Sequence, residues 1–251
     1  NDDRLGAWPA RAWVVDGATD LGAPGLFGPV GGAAWLAEAA GHGFATATGT
    51  SAAETCAQMF QHVAHRFEAE RTREIAAPWE VPKAAFALAQ WARGGLEVAW
   101  CADCAVLLGS GARARWCTPA PDSTAEAADA QAVGGGAALT GAVLTDRRDH
   151  RSDPDHMALS PSPKASAKAT RYAEVEAQPG DDVILMSDGF SSLVADYARY
   201  DAETLLAAVR SQGLAALVAE IRQIEAGDAA CVRFPRFKVS DDATALWLRI
   251  V

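Results

Sequence analysis

The sequence predicts one domain mixing α-helices with antiparallel β-strands. Three observations carry this. Short apolar runs broken by turn residues fill 84–117, two longer stretches repeat their apolar residues at helical spacing, and no internal repeat or linker divides the chain. With 251 residues the chain is long enough to bury a full core, and half of those residues are hydrophobic. No apolar run approaches the roughly 20 residues of a bilayer span, so no membrane partner is expected. A net charge of −10, from 32 acidic and 22 basic side chains without a Lys/Arg cluster, argues against nucleic acid. The acidic excess has another use, the holding of divalent cations. Five cysteines form an odd set without disulfide spacing, and the chain starts without a signal-peptide pattern, which points to a reducing cytoplasm.

The elements follow in order. Arg11-Ala12-Trp13-Val14-Val15 is a buried strand that delivers Asp16-Gly17 into a turn. A helix is expected over 33–40. Ser51-Ala52-Ala53-Glu54 is a capping box opening a longer helix, whose apolar face is Cys56, Met59, Phe60, Val63 and Phe67, ending before Pro78. The runs 84–91, 96–101, 105–108 and 112–117, separated by Arg93-Gly94-Gly95, an Asp103 turn and Gly109-Ser110-Gly111, predict an antiparallel meander. Residues 119–168, rich in Ala, Ser, Pro and Asp with glycines over 134–141, predict one or two helices joined by a long, partly mobile loop. Strands are expected at 172–177, at 181–187 ending on Asp188-Gly189, and at 243–250 after Asp241-Asp242. Helices are expected near 202–210 and 213–225, the second with Leu214, Leu217, Val218, Ile221 and Ile224 on one face.

Four acidic turns share a grammar: Asp2-Asp3, Asp16-Gly17, Asp188-Gly189 and Asp241-Asp242 each place a carboxylate beside a strand end. One Asp-Gly pair is ordinarily a plain turn. Several brought together make a pocket of negative oxygen that repels itself unless cations occupy it, and such a site suits Mg or Mn better than Zn. Glycine after the aspartate lets the backbone approach a metal or phosphate closely.

Taken in order, these motifs resemble the PPM family, the metal-dependent serine/threonine phosphatases of the protein phosphatase 2C type, in a bacterial-like form. Asn1-Asp2-Asp3 is similar to the family's Asn-Glu/Gln-Asp opening, and Val15-Asp16-Gly17-Ala18-Thr19 to its Asp-Gly turn. Cys101-Ala102-Asp103-Cys104 sits where the family has Gly-Asp-Ser. The stretch from Gly180-Asp181-Asp182 to Ser187-Asp188-Gly189 resembles its Gly-Asp…Ser-Asp-Gly signature, and Asp241-Asp242-Ala243-Thr244 its closing strand. The last two motifs are the most specific, and the resemblance spans nearly the whole chain.

The resemblance implies an α+β, four-layer αββα sandwich: two antiparallel sheets flanked by helix pairs, one domain over 1–251 with 119–168 as a helical, flap-like insertion. It implies two Mn²⁺ or Mg²⁺ ions and a weaker third. Asp16 would bridge the two, the Gly17 carbonyl would ligate one, and Asp188 and Asp241 would complete the other. Asp3, with Asp2 as a further candidate, would act through water, and Asp103 with Asp188 would hold the third. Asp16, Asp188 and Asp241 would then be catalytic through a metal-activated water that attacks a phosphoserine or phosphothreonine monoester in line. A monomer acting on a phosphorylated protein is expected.

Two departures favour an alternative. Ala18 stands where eukaryotic members carry a His proposed to protonate the leaving group. The family's phosphate-gripping Arg would lie upstream of Asn1, with Arg4 and Arg11 off the pattern. The alternative is a catalytically weak or inactive pseudophosphatase that binds a phosphoprotein or regulator; a small-phosphoester hydrolase is a third reading. Other signals read as structural. Cys101 and Cys104 lack a second pair at zinc spacing and fall on opposite faces of a strand. His150 and His156, among Asp149, Asp153 and Asp155, lie in a polar stretch that reads as a solvated loop. The glycines from 134 lack the Lys-Ser/Thr of a phosphate loop. His42 lies between two glycines, and the eight tryptophans read as packing residues.

Overall fold

The apolar runs become strands because each offers two different apolar faces to two different layers. The computed structural model describes residues 1–92, 95–133 and 141–251. In chain order the first half runs β1 (Arg4–Trp8), β2 (Arg11–Gly17), α1 (Gly32–Thr46), α2 (Ala52–Glu70), β3 (Ala84–Ala92), β4 (Gly95–Cys101), β5 (Ala105–Ser110) and β6 (Arg113–Trp116). The second runs α3 (Thr124–Val133), α4 (Gly141–Ser152), α5 (Pro163–Ala169), β7 (Arg171–Val175), β8 (Asp182–Met186), α6 (Asp188–Ala195), α7 (Ala202–Gln212), α8 (Leu214–Gly227) and β9 (Ala245–Arg249). Among the described residues the strands form a five-stranded sheet, β1-β2-β3-β4-β7, and a four-stranded sheet, β6-β5-β8-β9, both antiparallel throughout.

Side-chain alternation along each strand then builds three apolar layers. Trp13, Val15, Phe86 and Leu88 point outward from the first sheet and bury against Leu36, Phe44, Met59 and Phe60 of α1 and α2. Their neighbours Ala12, Val14, Ala87 and Val98 point inward, meeting Val106, Leu108, Val183 and Leu185 of the second sheet. Leu107, Ile184 and Met186 emerge on that sheet's far side, against Phe190, Leu193, Leu206, Val209, Leu217 and Ile221 of α6, α7 and α8. Each Val, Leu, Ile, Phe or Met side chain removed from water contributes about 1.5–3 kcal/mol before the entropy of ordering it is set against that. The result is the expected four-layer αββα sandwich. No single helix among the described residues is long and apolar enough to cross a membrane.

Four expectations change in detail. The meander is two hairpins in different sheets: β3 and β4 pair, β5 and β6 pair, and the Ala102-Asp103 corner carries the chain from one sheet to the other. That corner sends Cys101 into the helix-facing core and Cys104 into the core between the sheets, so the pair points apart. Ser51 accepts from the Glu54 N–H at 3.2 Å as a cap should, but the Glu54 carboxylate reaches back to the N–H of Thr50, at 2.8 Å. Residues 119–168 contribute three helices, with His150 inside α4 rather than in a loop. Arg93-Gly94 and the glycines of 134–140 lie outside the described residues.

Candidate metal centre

Strand ends from both sheets meet at one end of the sandwich. Asp16 and Gly17 end β2, the first residues lead into β1, Asp188 opens α6 just after β8, and Asp241-Asp242 precede β9. Two glycines permit this convergence. A Cβ on Gly17 would press on the carbonyl oxygens of Ala33 and Asp2, each 2.8 Å away, and one on Gly189 would overlap the Asp242 carbonyl. Their smallness therefore serves the close packing of strand ends, where the sequence had suggested approach to a ligand. The Asp2 N–H donates to the Asp242 carboxylate at 2.7 Å and ties the start of the chain to the closing strand.

Asp16, Asp103, Asp188 and Asp241 line a cavity of about 750 Å³, and Asp3 lies buried beside them. The carboxyl groups raise one another's proton affinity. Burial pushes Asp16 well above the ordinary carboxylate range, helped by Asp188, Asp3 and Asp103. Asp3 is raised to about 6, first by burial and then by Asp242 and Asp188. The nearby Thr244 and Asp16 side chains offset part of that rise without completing a hydrogen bond to either Asp3 oxygen. Asp103 is open to the water of the cavity yet ringed by protein atoms, and that crowding together with Asp188 lifts it to about 7. Asp2 does not line the cavity and stays with Asp242.

Asp241 is raised by burial and by Asp188, against the pull of Lys238. The Lys238 ammonium sits 2.8 and 2.9 Å from the two Asp241 carboxylate oxygens. Asp228 shapes the loop that brings it there. Burial works against the Asp228 charge, but N–H groups of Val232, Arg233 and Phe234 and the Arg236 guanidinium donate to its carboxylate and hold it down to about 2. No sequence pattern marked Lys238, which lies three residues before Asp241 and is set there only by the loop.

Residues of α3 and α4 and of the chain on either side of these helices also line the cavity. Glu126 of α3 adds a further carboxylate, raised mainly by burial and also by Asp188 and Asp241. Arg147 of α4 pairs with Glu126 at 3.1 Å and lies 4.2 Å from the Phe237 ring centre, joining α3, α4 and the Lys238 loop. His150 and His156 also line the cavity, their rings 4.7 Å apart, and burial followed by His150 lowers His156 to about 4.

The donors suit a hard divalent cation only in part. Asp3, Asp16, Asp103 and Asp188 supply oxygen alone, and both oxygens of buried Asp3 lack a partner, which is costly unless a cation or ordered water serves them. Asp241 is already occupied by Lys238. As the side chains stand, no three His, Cys, Asp or Glu groups among the described residues close into a ready coordination shell.

No family model and no curated protein matches the chain. Solved structures do match its fold. MsPP, a PPM Ser-Thr phosphatase from Mycobacterium smegmatis solved with cacodylate, is 17% identical with a TM-score of 0.59, over 100% of this chain and 92% of that one. The catalytic domain of the serine threonine protein phosphatase PstP, solved with 2 manganese ions, is 16% identical with a TM-score of 0.54, over 98% and 90%. The photosystem II phosphatase PBCP is 12% identical with a TM-score of 0.56, over 99% and 90%. At these identities the likeness is one of fold: the chain has the fold of the PPM phosphatases.

Proposed function

We propose that this chain is a metal-dependent phosphatase that hydrolyses phosphoserine or phosphothreonine monoesters at the Asp16–Asp188 end of the sandwich. The observation that carries the reading is the buried, partnerless Asp3 carboxylate beside Asp16 and Asp188, an arrangement that is costly without a cation. Bound Mn²⁺ or Mg²⁺ would supply Lewis acidity and charge neutralisation for phosphoryl transfer to water.

The chain's own groups do the rest. Asp16 lies near the end of β2 in the first sheet and Asp188 opens α6 directly after β8 of the second, so the sandwich itself sets their separation and they can hold a cation rigidly. Asp103 and Asp241 line the same cavity and extend the donor set, and Asp3 and the Gly17 carbonyl are further oxygen donors beside Asp16. Ala18 offers no proton, so protonation of the leaving alkoxide falls to water or to a group elsewhere on the cavity wall. A cavity of about 750 Å³ accommodates a phosphorylated side chain and some flanking peptide.

The Lys238–Asp241 ion pair favours the second reading, a pseudophosphatase that binds a phosphoprotein without turnover, because it supplies one positive charge without a metal. Phosphate release from p-nitrophenyl phosphate and from a phosphothreonine peptide, with Mn²⁺ and with EDTA, separates the two. The phosphatase reading expects Mn²⁺-dependent release that Asp16→Ala lowers by at least about 100-fold, as for loss of a principal electrostatic contributor. Phosphopeptide binding with no release at saturating Mn²⁺ selects the second reading, and metal-independent release untouched by Asp16→Ala rejects the first.

A further inference from the structure

The cavity that the carboxylates line also holds two cations, Lys83 and Arg151. Lys83 immediately precedes β3, and its carbonyl accepts from the Ala18 N–H at 3.0 Å, so it stands opposite the residue that follows Asp16-Gly17. Arg151, near the end of α4, is 9% exposed and donates to the Thr19 carbonyl at 2.8 Å. Both line the cavity. Among the described residues neither forms an ion pair. The groups around them are accounted for. Asp20, nearest in charge to Arg151, accepts from the Gly32 and Ala33 N–H groups at the start of α1, at 2.7 and 3.1 Å. Cys101 is buried in the core, and His156, which faces Lys83, has burial and its cationic neighbours against its taking a charge.

A chain of net charge −10 has carboxylates to spare, yet it leaves a half-buried lysine and a buried arginine near one another without one. Burying a charge unpaired is expensive, and two like charges add repulsion. An anion entering the cavity removes both costs. The neighbouring carboxylates, filled with cations as proposed above, would leave a phosphate's remaining oxygens available to these two side chains.

We propose that Lys83 and Arg151 form the anion subsite that grips the substrate's phosphate: a phosphomonoester dianion held by the Lys83 ammonium as a point charge and by the guanidinium nitrogens of Arg151 not engaged with Thr19. The subsite rests on the phosphatase reading for its substrate class. It supplies the phosphate contact for which the sequence offered no arginine, and it comes from β3 and α4 instead of the start of the chain.

The test measures binding of inorganic phosphate, and of a phosphothreonine peptide, by calorimetric titration of the full chain in Mn²⁺. Wild type is compared with Lys83→Met, which keeps the apolar stem, and Lys83→Arg, which restores the charge; Mn²⁺ affinity and melting temperature are followed in parallel. Loss of one charged contact predicts phosphate affinity in Lys83→Met about 10- to 100-fold below wild type, recovered in Lys83→Arg, with Mn²⁺ affinity unchanged and the melting temperature without phosphate equal to wild type or higher, because the unpaired charge is gone. Inorganic phosphate and the peptide should fall together, since the lost contact is to the phosphate they share. Equal phosphate affinity in wild type and Lys83→Met overturns the subsite, as does a loss that Lys83→Arg fails to recover. A wild type that binds phosphate through Lys83 but hydrolyses nothing keeps the subsite and removes the phosphatase reading. A wild type that hydrolyses p-nitrophenyl phosphate with the same KM in Lys83→Met does the opposite.

Discussion

Replacing Asp3 with asparagine should stabilise the metal-free protein. Asp3 is 6% exposed, its two carboxylate oxygens lack partners, and its carboxyl is raised from 3.8 to about 6. A rise of about two units corresponds to about 3 kcal/mol set against the folded state once the group is ionised. The sign follows from linkage. The folded protein holds this proton more tightly than the unfolded chain, so the group's contribution is intact below about pH 4. It is lost as pH rises from there through about 6, and is flat above. Asparagine keeps the shape and removes the charge, but its amide still needs partners, so about 1–2 kcal/mol should return at pH 7.5. For a chain of this length that raises the melting temperature by about 2–8 °C. Scanning calorimetry in EDTA at pH 4 and 7.5 reads the effect: the variant should melt above wild type at pH 7.5 and below it at pH 4, where wild-type Asp3 is largely protonated and only the cost of the asparagine amide remains. Added Mn²⁺ should raise wild type more than the variant, since ligands of the folded state alone shift its stability. An Asp3→Asn protein that melts lower at pH 7.5 and keeps the full Mn²⁺ response would refute the reasoning.

Lys238→Met should tighten Mn²⁺ binding by less than about tenfold, because the ion pair it removes is partly open to water, with side chains 38% and 40% exposed; calorimetric titration that finds equal or weaker binding shows that Lys238 does not compete for Asp241. Asp182→Asn should cost about 3 kcal/mol, read from the urea midpoint. Its fully buried carboxylate accepts from the Arg210 Nε, Trp247 Nε1 and Arg249 Nε at 2.6, 3.0 and 3.1 Å, and its loss leaves two arginines without their shared anion. An unchanged midpoint would mean that water replaces this network at no cost.

What the sequence disclosed depended on punctuation and period. Asp16-Gly17 and Asp188-Gly189 are legible because a β-branched, apolar run ends abruptly on an acid and a glycine, and the α2 stripe from Cys56 to Phe67 is legible because it keeps helical spacing over several turns. The corner between β4 and β5 was not, since Cys101-Ala102-Asp103-Cys104 has the length of a hairpin turn. The hint lay in the unbroken apolar run Ala105-Val106-Leu107-Leu108, whose alternate residues pack in two different cores and which therefore belongs inside a second sheet. The helix α6 was hidden because Asp188-Gly189 also spells a turn, although an acid in a first helical turn meets the positive end of the helix dipole. Lys238, Lys83, Arg151 and Glu126 left no trace. Each is a single charge on a loop or a helix, and only the tertiary fold brings it to the cavity.

Diffraction from crystals soaked in Mn²⁺, measured at the manganese absorption edge, tests the central claim most directly. The account predicts an anomalous peak between the Asp16 and Asp188 carboxylates, with Asp3 close behind it and loss of the peak in Asp16→Ala. A well-ordered crystal with no peak there, or with manganese bound only at carboxylates elsewhere on the surface, would contradict it.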